Sequence, residues 1–429
     1  MTGPGSTVDA TGGRSIPDPV RLALLIRLGR SDRPTDPAPR IVDLDEADEV
    51  RVGRGEVDSA VTLGRTIELN LVDPWVSGRH ARITRAASGG RTSFTLEDLG
   101  SRNGTYVQGS RVQRHALSGG EIVEVGHSFF RFFQGTVEDR GALLRRAHGG
   151  GTPGPTSSVC PALLQVLAQI DRLAPTGISM VLHGESGTGK EVLAEAIHGA
   201  SGRRGRFVAL NCAALPEALL ESELFGHRRG AFTGAAADKR GLVEAAAGGT
   251  LLLDEIGDMP LPAQAKVLRL VQDRSFYRLG ETTPRQADVR FLAATHRDLE
   301  RMVQEETFRG DLLARLNGLT LRLPTLRARR EDIGMLLAVF LGRHGGTQPP
   351  EVEHEAYRAL VLHDWPFNIR ELGTTVRTAL ALAPDGRITR AQLRDVWGDR
   401  SGAAASAARA PAAGASVGPG ITRRTSDEE

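Results

Sequence analysis

Between Leu22 and about Phe133 the chain runs in short apolar bursts separated by turn residues: LALLIRL, VRVG, IELNL, HARIT, SFTLEDL, EIVEV and SFFRFF. Alternation and β-branched content in these runs predict strands, and together they predict a small all-β sandwich. After Cys160 the period changes, and Leu163, Leu164, Leu167 and Ile170 fall at helical spacing. Strand-like runs then alternate with helical ones: MVL (180–182), FVAL (207–210), TLLL (250–253), VRFLAAT (289–295) and LTLRL (319–323). That alternation predicts a parallel sheet flanked by helices. A more helical piece follows from Glu331 to about Trp397. The expected fold is therefore multidomain, with the sandwich first, then an α/β domain, then a small α-helical lid.

Composition sets the boundaries. Residues 1–18 are rich in Gly, Ser, Thr and Pro, and AHGGGTPGPTSS (147–158) reads as a flexible linker. The end, SGAAASAARAPAAGASVGPG, is low-complexity. The expected partition is a disordered 1–18, a sandwich over 19–136, a linker over 137–158, an α/β domain over 159–334, a lid over 335–398 and a disordered tail over 399–429. A net charge of +2 over 429 residues gives no support to broad electrostatic binding of nucleic acid. Cys160 and Cys212 are too few for a disulfide framework and lack zinc-ligand spacing. No signal peptide is visible, and no apolar run approaches the ~20 residues of a membrane helix. A soluble, cytoplasmic protein that makes no contact with membrane is expected.

Strand MVLH runs into Gly184-Glu185-Ser186-Gly187-Thr188-Gly189-Lys190-Glu191, and a helix follows. Backbone N–H groups of such a turn cradle phosphates, and Lys190 reaches the outer ones. The hydroxyl that usually follows the lysine and touches magnesium is absent, since Glu191 stands there. The metal must then lean on an acidic pair. Asp254-Glu255, at the end of GGTLLL, supplies it: Asp254 to hold Mg2+, Glu255 to orient or deprotonate the attacking water. ATP and Mg2+ are the expected ligands. Arg309 and Arg315, in FRGDLLARLNG, are candidates to neutralise transition-state charge. Read alone, both are equally well solvated helix charges.

These residues carry a resemblance. Residues from about 160 to 395 resemble the central AAA+ domain of sigma-54-dependent transcription activators, the bacterial enhancer-binding proteins. The matching stretches are GESGTGKE, NCAAL, ESELFGHRRGAFTGA, GGTLLLDEIGDMP, FRGDLLARLN and WPFNIREL. The family also carries Glu after the lysine. The resemblance implies that Gly230-Ala231-Phe232-Thr233-Gly234-Ala235 forms the tip of a loop that contacts sigma-54. Glycines at both ends let such a loop swing. By position, Asn211 resembles a switch residue that engages Glu255. Thr295 resembles the first part of a γ-phosphate sensor, with His296 where Asn is usual. Arg370 resembles a second sensor in the lid, with Phe367 in place of a usual Gly nearby. Arg309 and Arg315 resemble arginine fingers inserted across a subunit boundary, which implies a homo-oligomeric ring, commonly a hexamer or heptamer.

The sandwich is similar to a forkhead-associated (FHA) domain, a phosphothreonine-binding module, on Gly53-Arg54, Ser77-Gly78-Arg79-His80 and Ser101-Arg102-Asn103-Gly104-Thr105. Arginine, serine hydroxyl and nearby amides suit a dianionic phosphate. The resemblance implies that Arg54, Ser77, Arg79, Ser101, Arg102 and Asn103 face a phosphopeptide, while His80 braces the loop. Gly78 stands where Arg or Asn is common, the loop 55–66 is long, and Arg65 is an alternative phosphate ligand to Arg54. After Trp397 no pair of helices with the helix-turn-helix pattern remains, so promoter DNA is expected to be reached only indirectly. The expected activity is ATP-dependent remodelling of sigma-54 RNA polymerase, controlled by a phosphothreonine-bearing protein. The rivals are a remodelling ATPase with another protein target, and a phosphopeptide adaptor whose ATPase is inactive.

Overall fold

The computed structural model describes residues 20–34, 41–88, 91–137, 141, 156–344, 350–383 and 385–398. The predicted disordered ends lie outside the described residues, as does the linker apart from 137, 141 and 156–158.

Among the described residues the N-terminal part is a sandwich of two six-stranded sheets. Inward and outward positions alternate as the pleat requires: along Thr66–Leu71 only Ile67, Leu69 and Leu71 are buried. They meet Val50, Val52, Ile83, Leu96 and Phe130 in one core, where Phe94 and Phe132 pack tilted with centroids 5.3 Å apart. Segment 55–66, expected as a long loop, holds the strand Ser59–Leu63, paired antiparallel with Thr66–Leu71. The reason is a two-residue turn in which Gly64 takes φ +61°.

The second domain carries five parallel strands, ordered 207–211, 250–254, 290–295, 180–183 and 319–322. Helices cover both faces of such a sheet, so its central strands do not alternate and Arg290–Thr295 is buried at every position, whereas the edge strands Phe207–Asn211 and Leu319–Arg322 are partly exposed. Helix Pro161–Leu173 buries Leu163, Leu164, Leu167 and Ile170, the face its period predicts. The lid is built from helices Ile333–His344, His354–Leu362, Asn368–Ala381 and Arg390–Trp397. Among the described residues no helix is long and apolar enough to cross a membrane.

The first strand, Val20–Arg30, explains why LALLIRL is apolar on both faces. Ala23 and Leu25 enter the sandwich core, whereas Leu22, Leu24 and Ile26 pack on helix Pro161–Leu173. Further along, Leu28, Ile122 and Phe129 join the lid core with Ile333, Tyr357 and Leu360. The approach is close enough to demand glycine: a Cβ on Gly334 would lie 2.0 Å from the Leu28 carbonyl oxygen. Arg131 reaches across to the buried Glu331.

Glu124 anchors the same interface. Its carboxylate accepts from Arg358 Nε (2.7 Å) and Nη2 (2.5 Å) and lies 2.8 Å from His354 Nε2. Burial alone would push this carboxyl up, but the Arg358 guanidinium, with His354, outweighs burial and holds it below the usual glutamate range. Stability from this group is therefore present above its ordinary value and is lost as pH falls below it. Glu124→Gln keeps the shape and leaves Arg358 with only its Glu355 partner on its own helix, which should weaken docking by about 1–3 kcal/mol. Limited proteolysis should then cut between the sandwich and the α/β domain, within 137–158, at neutral pH, as it should in the unmutated chain only in acid.

Candidate nucleotide site and phosphopeptide face

The strand Met180–His183 delivers the chain to Gly184, whose N–H donates to the Thr295 carbonyl at 3.1 Å. Gly187 and Gly189 take φ +78° and +98°, which close the turn, and helix Lys190–Ala200 starts immediately after. A Cβ on Gly187 would meet the Phe367 carbonyl oxygen at 2.3 Å, so the loop lies directly against the lid. Lys190 is buried, with Nζ 3.0 Å from the Gly184 carbonyl oxygen and 3.3 Å from Glu255 Oε1. The loop, Asp254, Glu255, Leu163 and Arg370 line a cavity of about 530 Å³ between the sheet domain and the lid.

Asp254 ends the strand Thr250–Asp254, and Glu255 follows at φ +50°, a strained value for a non-glycine residue. Glu255 is gripped from two sides, by Lys190 on Oε1 and by the His296 ring (2.8 Å) and N–H (3.3 Å) on Oε2. Burial pushes its carboxyl up, but the His296 hydrogen bond and the Lys190 charge outweigh burial and hold it below the usual range. Asp254 goes the other way: burial and the neighbouring Glu255 charge raise its carboxyl, with Lys190 only partly offsetting them. A carboxyl so placed suits a bound cation, which would relieve both penalties. Among the described residues no cluster of three or more acidic, His or Cys side chains forms a metal site by itself.

The lid holds the loop from above. Arg370 Nη1 donates to Ser186 Oγ at 2.8 Å, Asn368 Nδ2 to the Ser186 carbonyl at 3.0 Å, and the Ile369 N–H to the Gly187 carbonyl at 3.0 Å. From the segment that leads into the lid, Arg329 donates to the Thr188 carbonyl at 2.7 Å and Arg327 pairs with Glu185. Asn368, Arg327 and Arg329 were not anticipated. The available signal for Asn368 was its place two residues before Arg370.

Two expected placements differ. Asn211 does not engage Glu255: its Oδ1 accepts the Ala213 N–H at 2.9 Å, one strand away from the site. Thr295 is fully buried beneath the loop, its hydroxyl accepting the Arg297 N–H at 3.0 Å. Its neighbour His296 is the residue that reaches the acidic pair. Glu191 is exposed on the first helical turn and borders the cavity. Arg309 is paired with Asp311, Arg315 is exposed, and neither lines the cavity of its own chain.

The segment 230–235 projects from the short strand pair His227–Lys239. Gly230 and Gly234 take φ +80° and +103°, and a Cβ on either would meet nothing within 4 Å. They are required for backbone shape, not for space. Phe232 is 39% exposed, resting edge-on against His227 at 5.0 Å, and Thr233 is exposed beside it. Ala231 lies against Gly280, and Ala235 is buried at the base.

On the sandwich, Arg54 ends the strand Glu49–Arg54, exposed, with its N–H on the Ser77 carbonyl at 3.0 Å. A Cβ on Gly53 would sit 2.3 Å from the Gly78 carbonyl oxygen, so glycine there lets the two loops touch. Ser77 Oγ accepts the Arg102 N–H at 3.1 Å, and Arg79 and Arg102 are exposed nearby. His80 is buried, with Nδ1 accepting the Ser77 N–H and Nε2 facing the Gly104 carbonyl, the bracing geometry expected of it. Burial lowers its ring pKa, with the Gly104 carbonyl opposing. Ser101 does not face a ligand. It is buried, donates to Asp98 at 2.5 Å and accepts the Gly104 N–H, so it shapes the loop from inside. Arg65 is likewise removed as a phosphate ligand: it pairs with Asp48 beside the Glu49↔Thr66 end of the sheet register, opposite Arg54.

Comparison with known proteins agrees with this layout. Residues 157–322 match the Sigma-54 interaction domain, residues 327–410 the AAA+ ATPase lid domain and residues 50–126 the FHA domain. The chain is 48% identical over 237 residues to the DNA-binding transcriptional regulator NtrC of Salmonella typhimurium, covering 54% of this chain and 50% of that protein. It is 49% identical over 226 residues to the regulatory protein AtoC of Escherichia coli, covering 52% and 49% respectively. The chain thus spans about half the length of these curated relatives. Among solved structures, NtrX from Brucella abortus in complex with ATP superposes with TM-score 0.51 at 37% identity, over 56% of each chain. Its complex with ADP gives 0.52 at 34% identity, over 61% of this chain and 60% of that one. The chain thus joins a segment that matches the FHA domain to segments that match the Sigma-54 interaction domain and the AAA+ ATPase lid domain, and over those last two it is similar to the transcriptional regulators NtrC and AtoC.

Proposed function

We propose that the chain hydrolyses ATP in a ring and uses the energy to drive its Phe232–Thr233 tip against sigma-54, opening promoter complexes under control of a phosphothreonine protein bound to the sandwich. The observation that carries this reading is the pairing of an exposed Phe-Thr tip, held between two positive-φ glycines, with a cavity in which Lys190, Asp254 and Glu255 converge. Glu255 orients the attacking water and accepts its proton, and Lys190 and the loop N–H groups hold the phosphates. Magnesium, held by Asp254 when bound, supplies charge neutralisation at the phosphates. Arg370 closes the lid over the nucleotide.

Arg315 and Arg309 complete the site of the neighbouring subunit. Arg315→Ala should cut turnover by about a thousandfold or more, the scale of a lost arginine finger, while nucleotide binding survives. Turnover of the unmutated chain should rise faster than linearly with protein concentration. Turnover proportional to concentration at every dilution would count against a shared site.

For the sandwich, Arg54, Ser77, Arg79, Arg102 and the Asn103 amide take the phosphopeptide. Arg54→Ala removes one charge-assisted contact and should weaken binding of a phosphothreonine peptide pool by about tenfold to a hundredfold. Fluorescence polarisation against the unphosphorylated pool provides the check.

A further inference from the structure

The loop that carries Ser77 is joined to the lid by three stacked rings. Asn103 Nδ2 donates to the Trp75 carbonyl at 2.7 Å. The half-exposed Trp75 indole lies flat on His127, with centroids 4.8 Å apart and planes 5° apart. His127 stacks in turn on His354, at 4.5 Å and 16°. Asp73, on the Trp75 loop, accepts the His127 N–H and the Ser128 hydroxyl, both at 2.9 Å, so loop and ring are one piece.

His354 opens the lid helix His354–Leu362 and is fixed at both ring nitrogens, with Ser31 Oγ 2.8 Å from Nδ1 and Glu124 2.8 Å from Nε2. Beyond that helix the chain turns at Trp365, which is fully buried at φ +50° with its indole N–H on the Leu360 carbonyl. It then enters Asn368, Ile369 and Arg370, the residues that hold Ser186 and Gly187. One end of this path touches the phosphopeptide face, and the other touches the phosphate loop. Neither hydrolysis nor peptide binding needs the rings, and the apolar packing of Leu28, Phe129 and Tyr357 would join the domains without them. Flat rings add a fit that is lost by a small sideways shift, as a two-state contact requires.

We propose that this stack couples the two sites. A phosphothreonine peptide takes the Asn103 amide from the Trp75 carbonyl, draws Trp75 off His127, and loosens the lid's hold on the phosphate loop. The inference rests on the phosphothreonine reading above. Because linkage is reciprocal, each ligand weakens the other by the same factor, on the order of fivefold or more.

The test uses the full chain. A fluorescent ATP analogue is titrated with and without a saturating degenerate phosphothreonine peptide pool, and binding of the labelled pool is followed separately. Unmutated protein should lose nucleotide affinity by about fivefold or more when the pool is present. In His354→Ala and His127→Ala both ligands should still bind, and the shift should disappear. His127→Phe keeps a flat ring and should keep the shift. An undiminished shift in both alanine variants, or no shift in unmutated protein that does bind the pool, overturns the coupling and leaves the phosphothreonine reading standing. No binding of the pool by unmutated protein overturns both.

Discussion

Glu255→Gln is expected to leave ATP binding intact and to reduce turnover by about a hundredfold to ten-thousandfold, the range for loss of a general base. The amide matches the carboxylate in size, and its single oxygen can keep either the Lys190 contact or the His296 N–H contact, with the NH2 group taking the other position. What disappears is the carboxylate that takes the proton. Because the His296 hydrogen bond and the Lys190 charge hold Glu255 below the usual glutamate range, it stays ionised well into mild acid. Turnover of the unmutated chain should therefore persist to a lower pH than an ordinary carboxylate base would permit. Nucleotide affinity and phosphate release, measured side by side, separate the two effects.

Thr233→Ala should abolish promoter opening while ATP hydrolysis continues at close to its original rate. The tip makes no contact with the nucleotide cavity, and its glycines face open space, so removing one hydroxyl leaves the ATPase core undisturbed. The loss would fall on the contact with sigma-54, where an exposed hydroxyl beside an exposed ring combines a polar and an apolar handle. Opening is read with sigma-54 polymerase on a supercoiled promoter, and hydrolysis in the same tube. Opening that persists in Thr233→Ala would show that the tip is not the working surface.

The parallel sheet was legible almost to the residue. MVL and TLLL became Met180–His183 and Thr250–Asp254, because strands covered on both faces read as uninterrupted apolar runs, and FVAL became the partly exposed edge strand Phe207–Asn211. The same rule, applied to LALLIRL, could have revealed that the first strand is covered twice. The pattern by itself predicts a sandwich strand, and the docking on helix Pro161–Leu173 and the lid depends on partners more than a hundred residues away. Long-range side-chain placement was the least legible. Asn211 carries the family's position yet turns to its own backbone, and Ser101 turns inward on Asp98. Spacing fixes which loop a residue occupies, but the choice of hydrogen-bond partner depends on groups far away in sequence. Asn368, at φ +57° and reaching Ser186, is the clearest case.

The most direct test asks whether the nucleotide state governs the tip. Sigma-54 is offered to the immobilised chain with ADP alone and with ADP plus a mimic of the γ-phosphate in transit. Capture that requires the mimic, and that is lost in Phe232→Ala, is the predicted result. Capture that is equal in both states, or unchanged in Phe232→Ala, would contradict the conversion of ATP cleavage into movement of this Phe-Thr tip.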